Sequence, residues 1–253
     1  MIVLLLQEFR AGWRSFRYPA FLLVVLFFAI LDPLMLKYMN EIVAYFAIGI
    51  EMVIPEPTAA DAFASYLGDV SQIGIFVLIF MSMGLVAREK ETGVTGWLLS
   101  KPISRFQYLT AKLLALYTVI ISGLIICSLF AYLYTGSLIE YLPFLPALQA
   151  TACLIVFTLL IGTFNFTFST LLKTPLQAGG LTIGIFFLSG IINMLISGSK
   201  AADYYPNSLL AMIPRLLAGT ADASIIVRPM LVSLVIIAAL LALTVNRFIR
   251  LEL

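Results

Sequence analysis

Thr110–Tyr134 reads TAKLLALYTVIISGLIICSLFAYLY, and its one charge, Lys112, falls in the first turn. An α-helix rises about 1.5 Å per residue, so roughly 20 apolar residues cross a hydrocarbon core ~30 Å thick. Five further stretches meet the same test: 19–38, 70–87, 147–171, 176–197 and 229–247. Across the chain 62% of residues are hydrophobic and 11% charged, whereas soluble domains run about 45–50% and about 25%. A water-soluble fold of 253 residues could not hide that much apolar surface. The expected fold is an all-α membrane protein: a single transmembrane domain of six transmembrane helices, preceded by an N-terminal interfacial helix.

Composition also removes classes of chemistry. There is no histidine, which excludes Ser-His-Asp catalysis, histidine-ligated metals and histidine proton relays. A membrane enzyme without histidine would need clustered intramembrane carboxylates, and none is evident. Cys127 and Cys153 lie inside apolar runs and read as small buried hydrophobes. No G-x-x-x-x-G-K-[ST] loop is present to cradle phosphates. No catalytic, cofactor or metal site is expected in the chain, and no nucleic-acid partner.

Lys and Arg gather in cytoplasmic loops. With both termini in the cytoplasm, eleven cations and four acids fall inside, and four cations and nine acids outside. A cell-membrane protein in that orientation is expected. Residues 1–18 read as an amphipathic elbow helix in the cytoplasmic interface. Leu5, Phe9, Trp13 and Phe16 lie on one face, Gln7, Arg10, Arg14 and Arg17 on another, with Trp13 and Tyr18 at headgroup level. No A-x-A cleavage site follows residue 31; Asp32-Pro33 stands there, and the proline is expected to kink or end the first span. Two segments are expected outside: the acidic stretch 39–69, and 198–228. In the latter, Leu209, Leu210, Ile213, Leu216 and Leu217 predict a short helix between Pro206 and Gly219. It would rest on the outer membrane surface or form part of an outer gate.

The loop joining spans two and three, 88–107, carries most of the functional information. It runs Arg88-Glu-Lys-Glu-Thr-Gly-Val-Thr-Gly-Trp-Leu-Leu-Ser-Lys-Pro-Ile-Ser-Arg105. Val94, Trp97 and Leu98 share a helical face with Leu99 beside them, and Pro102 stops the helix because the residue before proline avoids the α region. Glu89 and Glu91 before the helix and Lys101 at its end suit the helix dipole. The run E-x-x-x-G-x-x-x-x-L-L-S-x-P-x-S-R from Glu89 to Arg105, with Lys112 seven residues on, resembles the signature of type-2 ABC exporter permeases. The likeness covers nearly the whole chain: elbow helix, six spans, and an apolar external segment between the last two. It is closest in kind to stand-alone permeases whose ATPase is a separate polypeptide. The resemblance implies that Glu89, Glu91, Gly93, Val94, Trp97, Leu98, Leu99, Pro102 and Arg105 build a coupling helix. That helix would dock in a groove of an ATP-binding subunit, which holds the ATP and magnesium. Thr95-Gly96 departs from a good helix here, costing roughly 1 kcal/mol of propensity.

The resemblance also implies a homodimer paired through the first and fifth spans. Gly180 and Gly184, a small-xxx-small pair, are expected at that seam; the alternative is packing within one chain. Asp32 stands either at the outer interface beside Lys37 or facing a pathway between subunits. Asn165, Thr163 and Thr167 in span four, and Asn193 in span five, read as interhelical hydrogen-bonding groups, Asn193 being also a pathway candidate. The function expected is the membrane subunit of an ATP-driven exporter. The alternative is a secondary transporter or channel without an ATPase. Against it stands the lack of paired intramembrane acids or bases to carry a coupling ion.

Overall fold

The computed structural model describes residues 2–46, 57–100, 103–220 and 224–250, with no strand among them. Helix α1 (Ile2–Arg14) is followed by a corner at Ser15–Phe16, where Phe16 has φ 59°, the left-handed region an aromatic residue seldom visits. The corner lets α2 (Arg17–Lys37) start at once and folds Tyr18 back over Gly12, whose missing Cβ leaves room for the ring. Tyr18 is buried beside Phe9, whereas Trp13 stays exposed. Pro33 does not end the first span: α2 continues to Lys37, and α3 (Met39–Phe46) follows after a turn at Tyr38.

The second span begins earlier than its hydropathy suggests. Helix α4 (Ala59–Asp69) opens on a capping box, in which Asp61 N donates to Thr58 Oγ1 (3.2 Å) and Thr58 N to Asp61 Oδ2 (3.1 Å). It runs through a π-helical turn, Val70–Gly74, into α5 (Ile75–Ser82). Residues 59–69, read from the sequence as part of an external segment, are helical and run directly into this span. Its acids misled: Asp61 is a cap and Asp69 faces inward, while Ala59, Ala62, Phe63, Tyr66 and Leu67 form a buried helical stripe.

After a break come α6 (Ala87–Glu91) and α7 (Val94–Leu99), joined through Gly93 at φ 74°. The side chains of Trp97, Leu98 and Leu99, together with Lys101 and Pro102, lie outside the described residues. Ser104 and Gln107 form a second capping box that starts α8 (Arg105–Leu138). Next come α9 (Phe144–Leu171), α10 (Pro175–Ile196), α11 (Ser208–Leu217) and α12 (Ser224–Arg250). Among the described residues, six helical runs are long and apolar enough to cross a membrane.

Helix α9 is the axis of the bundle, with α5, α8, α10, α11 and α12 packed around it. Lipid is as apolar as leucine, so hydrogen bonds and close packing carry helix association. Thr163 meets Tyr117 at 2.6 Å, Thr244 donates to Thr167 at 2.9 Å, and Asn165 reaches α5 and α10. Helix α11 departs from the surface-resting alternative: on its apolar face Leu209, Ile213, Leu216 and Leu217 are buried against α9 and α4. Gly219, at φ 67°, stops it where expected.

Candidate functional site

At the arginine-rich end, where α1 and α12 meet the loop between spans two and three, polar side chains form one connected cluster. Arg105, Tyr108 and Lys112 recur at three and four residues on α8, so they line one helical face. Lys112 is 1% exposed. Its Nζ donates to Glu89 Oε1 at 2.6 Å and to Glu8 Oε1 at 2.8 Å. Tyr108 donates its hydroxyl to the other Glu89 oxygen at 2.6 Å and stacks on Phe248 of α12 at 5.8 Å, 12° between rings. Lys112 also lies 5.1 Å from the Tyr108 ring centre, within cation–π range. A buried ammonium is tolerated only when its protons are satisfied, and here two carboxylates do so.

Two further cations clamp helix ends, where orphan carbonyls accept and the dipole is negative. Arg105 Nη1 donates to Phe248 O and Ile249 O at 3.1 and 2.9 Å, tying α12 to the start of α8. Lys90 Nζ donates to Thr170 O and Leu172 O at 2.6 and 2.5 Å, tying α6 to the end of α9.

The break between α5 and α6 is held from α9. Ser169 Oγ accepts from Val86 N and Ala87 N, both at 3.1 Å, and donates to Met83 O at 2.8 Å. Asn165 Nδ2 donates to Ile79 O and Ser82 Oγ, and its Oδ1 accepts from Thr182 of α10. The freed backbone groups at membrane depth are therefore satisfied by a neighbouring helix.

The residues expected to form one docking surface are thus divided. Glu89 points inward, to Lys112 and Tyr108; the physical reason is that Lys112 lies buried and needs a counter-charge. Arg105 is a clamp on α12. Glu91 faces a cleft with Arg17 and Arg88, and Gly93 makes the turn. Val94 is exposed, whereas Thr95 is buried. Trp97, Leu98 and Leu99 have helical backbone within α7, and Pro102 falls outside the described residues. Sequence reasoning missed Glu8, Tyr108, Lys90 and Ser169. The three-four spacing of Arg105, Tyr108 and Lys112 was the available signal for Tyr108.

Elsewhere, Asp32 is 6% exposed, with Oδ2 lacking a hydrogen-bond partner, and its carboxyl faces Asp69 across the α2–α4 contact. Lys37 is not beside it but donates to Leu138 O at 2.6 Å. Asp32 and Asp69 thus form a pair of facing acids on two of the candidate spans, which the sequence reading did not bring together. It was hidden because Asp69 read as loop. Gly180 and Gly184 have open space where a Cβ would project: among the described residues nothing lies within 4 Å of that position. Asn193 makes no side-chain hydrogen bond among the described residues, unlike Asn165.

Six apolar spans around a polar-bonded axis, with a charged cluster at one end, define a multi-pass membrane protein. The profile described as ABC-2 family transporter protein matches residues 2–253, and the chain belongs to that family. It is the membrane permease of an ABC transporter, and the family implies association with an ATP-binding subunit. Among curated proteins it is similar to the uncharacterized transmembrane protein YxlG of Bacillus subtilis (strain 168), 25% identical over 204 residues, 79% of each chain.

Proposed function

We propose that the chain exports its substrate, driven by ATP bound and hydrolysed on a separate subunit that docks on residues 88–107. The observation that carries this reading is the Glu89–Lys112–Glu8 bridge. A force applied to the loop reaches Lys112 and Tyr108 on α8, Glu8 on the elbow helix and, through Tyr108 and Arg105, the end of α12. Packed and charge-bonded elements move together as units, so a small shift at the loop reorients whole spans. Nucleotide must then favour one arrangement of the spans by binding it better than the other.

In this reading the arginine-rich end is cytoplasmic, since setting aside Asp32 and Asp69, which face each other between α2 and α4, leaves the cation excess at that end intact. Two copies pair along α10, the least buried of the six spans. Its open Gly180 and Gly184 allow close backbone approach.

The test is purification of the tagged chain in mild detergent from its own host. An ATP-binding subunit should accompany it in equal amount, and inverted vesicles should accumulate substrate only with hydrolysable ATP. A chain recovered alone, with transport persisting without nucleotide, would overturn the proposal.

A further inference from the structure

Between the elbow corner, the end of span two and the start of α10 lies a cleft of about 470 Å³. Its rim is polar: Ser15, Arg17, Arg88 and Glu91. Its deeper wall is apolar, including Phe80 and Met83. Arg17 is oriented by its Nε, which donates to Ser15 Oγ at 3.0 Å. Among the described residues the ion pairs are those of Lys112, so neither guanidinium of the cleft is paired with a carboxylate. Arg17 opens the first span and Arg88 follows the last apolar turn of the second, so both stand where hydrocarbon gives way to headgroups. Phe80, 56% exposed, lies roughly two turns deeper along the same span.

We infer that this cleft binds an anionic phospholipid, its phosphate between Arg17 and Arg88 and an acyl chain along Phe80. Two cations against one carboxylate leave the rim net positive, which suits a singly charged phosphodiester. Guanidinium donors match phosphate oxygens in pairs. Basic pockets between membrane helices are a recurrent solution for acidic headgroups. The open, half-apolar shape suits a molecule carrying both a charge and a chain; free phosphate would leave the apolar wall unused. Occupancy would brace the elbow corner against α6, which carries Glu89. The leaflet occupied rests on the orientation proposed above; the binding chemistry does not.

The experiment uses the purified full-length chain in detergent, with thermal unfolding followed as lipid is titrated in. Phosphatidylglycerol should raise the midpoint saturably, while phosphatidylcholine and inorganic phosphate should not. Arg88→Gln and Arg17→Gln should each weaken the phosphatidylglycerol response about fivefold, the effect of one cation at a lipid surface. Glu91→Gln should strengthen it, a gain that a merely structural role for the cleft would not produce. Equal responses of wild type and Arg88→Gln to phosphatidylglycerol would overturn the inference. So would a Glu91→Gln variant that binds more weakly, or one whose loss appears with phosphatidylethanolamine, because the cleft would then be reading an amine. Stabilisation by inorganic phosphate alone would assign the arginines to a free anion.

Discussion

The Lys112 ammonium lies 2.6 Å from the Glu89 carboxylate, joining the third span to the loop that follows the second. Glu8, 104 residues before Lys112, closes the bridge from the other side at 2.8 Å. Removing the shared cation leaves two carboxylates facing each other. Each is about a quarter open to solvent, 21% and 27%, which tempers the cost below that of a fully buried pair. Lys112→Met is expected to destabilise the chain by about 2 kcal/mol, and Glu8→Gln by less than about 1 kcal/mol. Denaturant unfolding in detergent measures both, and equal small losses would show that the bridge contributes little.

Ser169→Ala removes one group that serves three backbone atoms at the break in span two. Val86 and Ala87 are fully buried, so their N–H groups would be left without water or partner. The expected cost is about 2 kcal/mol, seen as a lower unfolding midpoint, and Ser169→Thr should restore much of it. A neutral Ser169→Ala would mean the break is satisfied otherwise.

On α10, neighbouring glycines should behave differently. A Cβ at Gly179 would approach Met83 Sδ to 2.8 Å, whereas Gly180 and Gly184 meet nothing. Leucine at 180 and 184 together should therefore leave monomer stability unchanged and weaken dimer recovery in mild detergent. Leucine at 179 should lower monomer stability. Dimers that survive the double substitution would place the seam on another helix.

Trp97→Ala tests the docking surface. Buried aromatic anchors at interfaces commonly account for about 2 kcal/mol or more, roughly thirtyfold in affinity. The ATP-binding subunit should be lost from the purified complex, or hydrolysis uncoupled from export, while the chain still inserts and dimerises. Wild-type association would leave Trp97 as an interfacial anchor only.

Orientation is read by labelling. Cysteine at Ser199, exposed at the far end of α10, should react with an impermeant maleimide in intact cells. Cysteine at Lys173, exposed between α9 and α10, should react only after permeabilisation. The opposite pattern would invert the topology and with it the side on which ATP acts.

Hydropathy and helical period were enough to read six spans, a helix at the N-terminus and the short helix between Pro206 and Gly219, though not the corner that takes Phe16 and Arg17 off the first helix. These depend on neighbours within one or two turns, and such neighbours are read directly along the chain. The Glu89-to-Arg105 motif marked the loop between spans two and three, but not where its side chains point. Tertiary structure alone decided that Glu89 turns inward, that Asp32 faces Asp69, that α11 is covered by α9 and α4, and that Tyr18 closes over Gly12. Each of those outcomes depends on a partner supplied by another helix. A charged or polar residue has a low-energy place in a membrane only where such a partner meets it. Lys112 shows this most plainly: its spacing marked it as part of a motif, but its two carboxylates come from residues 8 and 89, brought to it only by the packing of α1 against α8 and of α6 against α9 and α10.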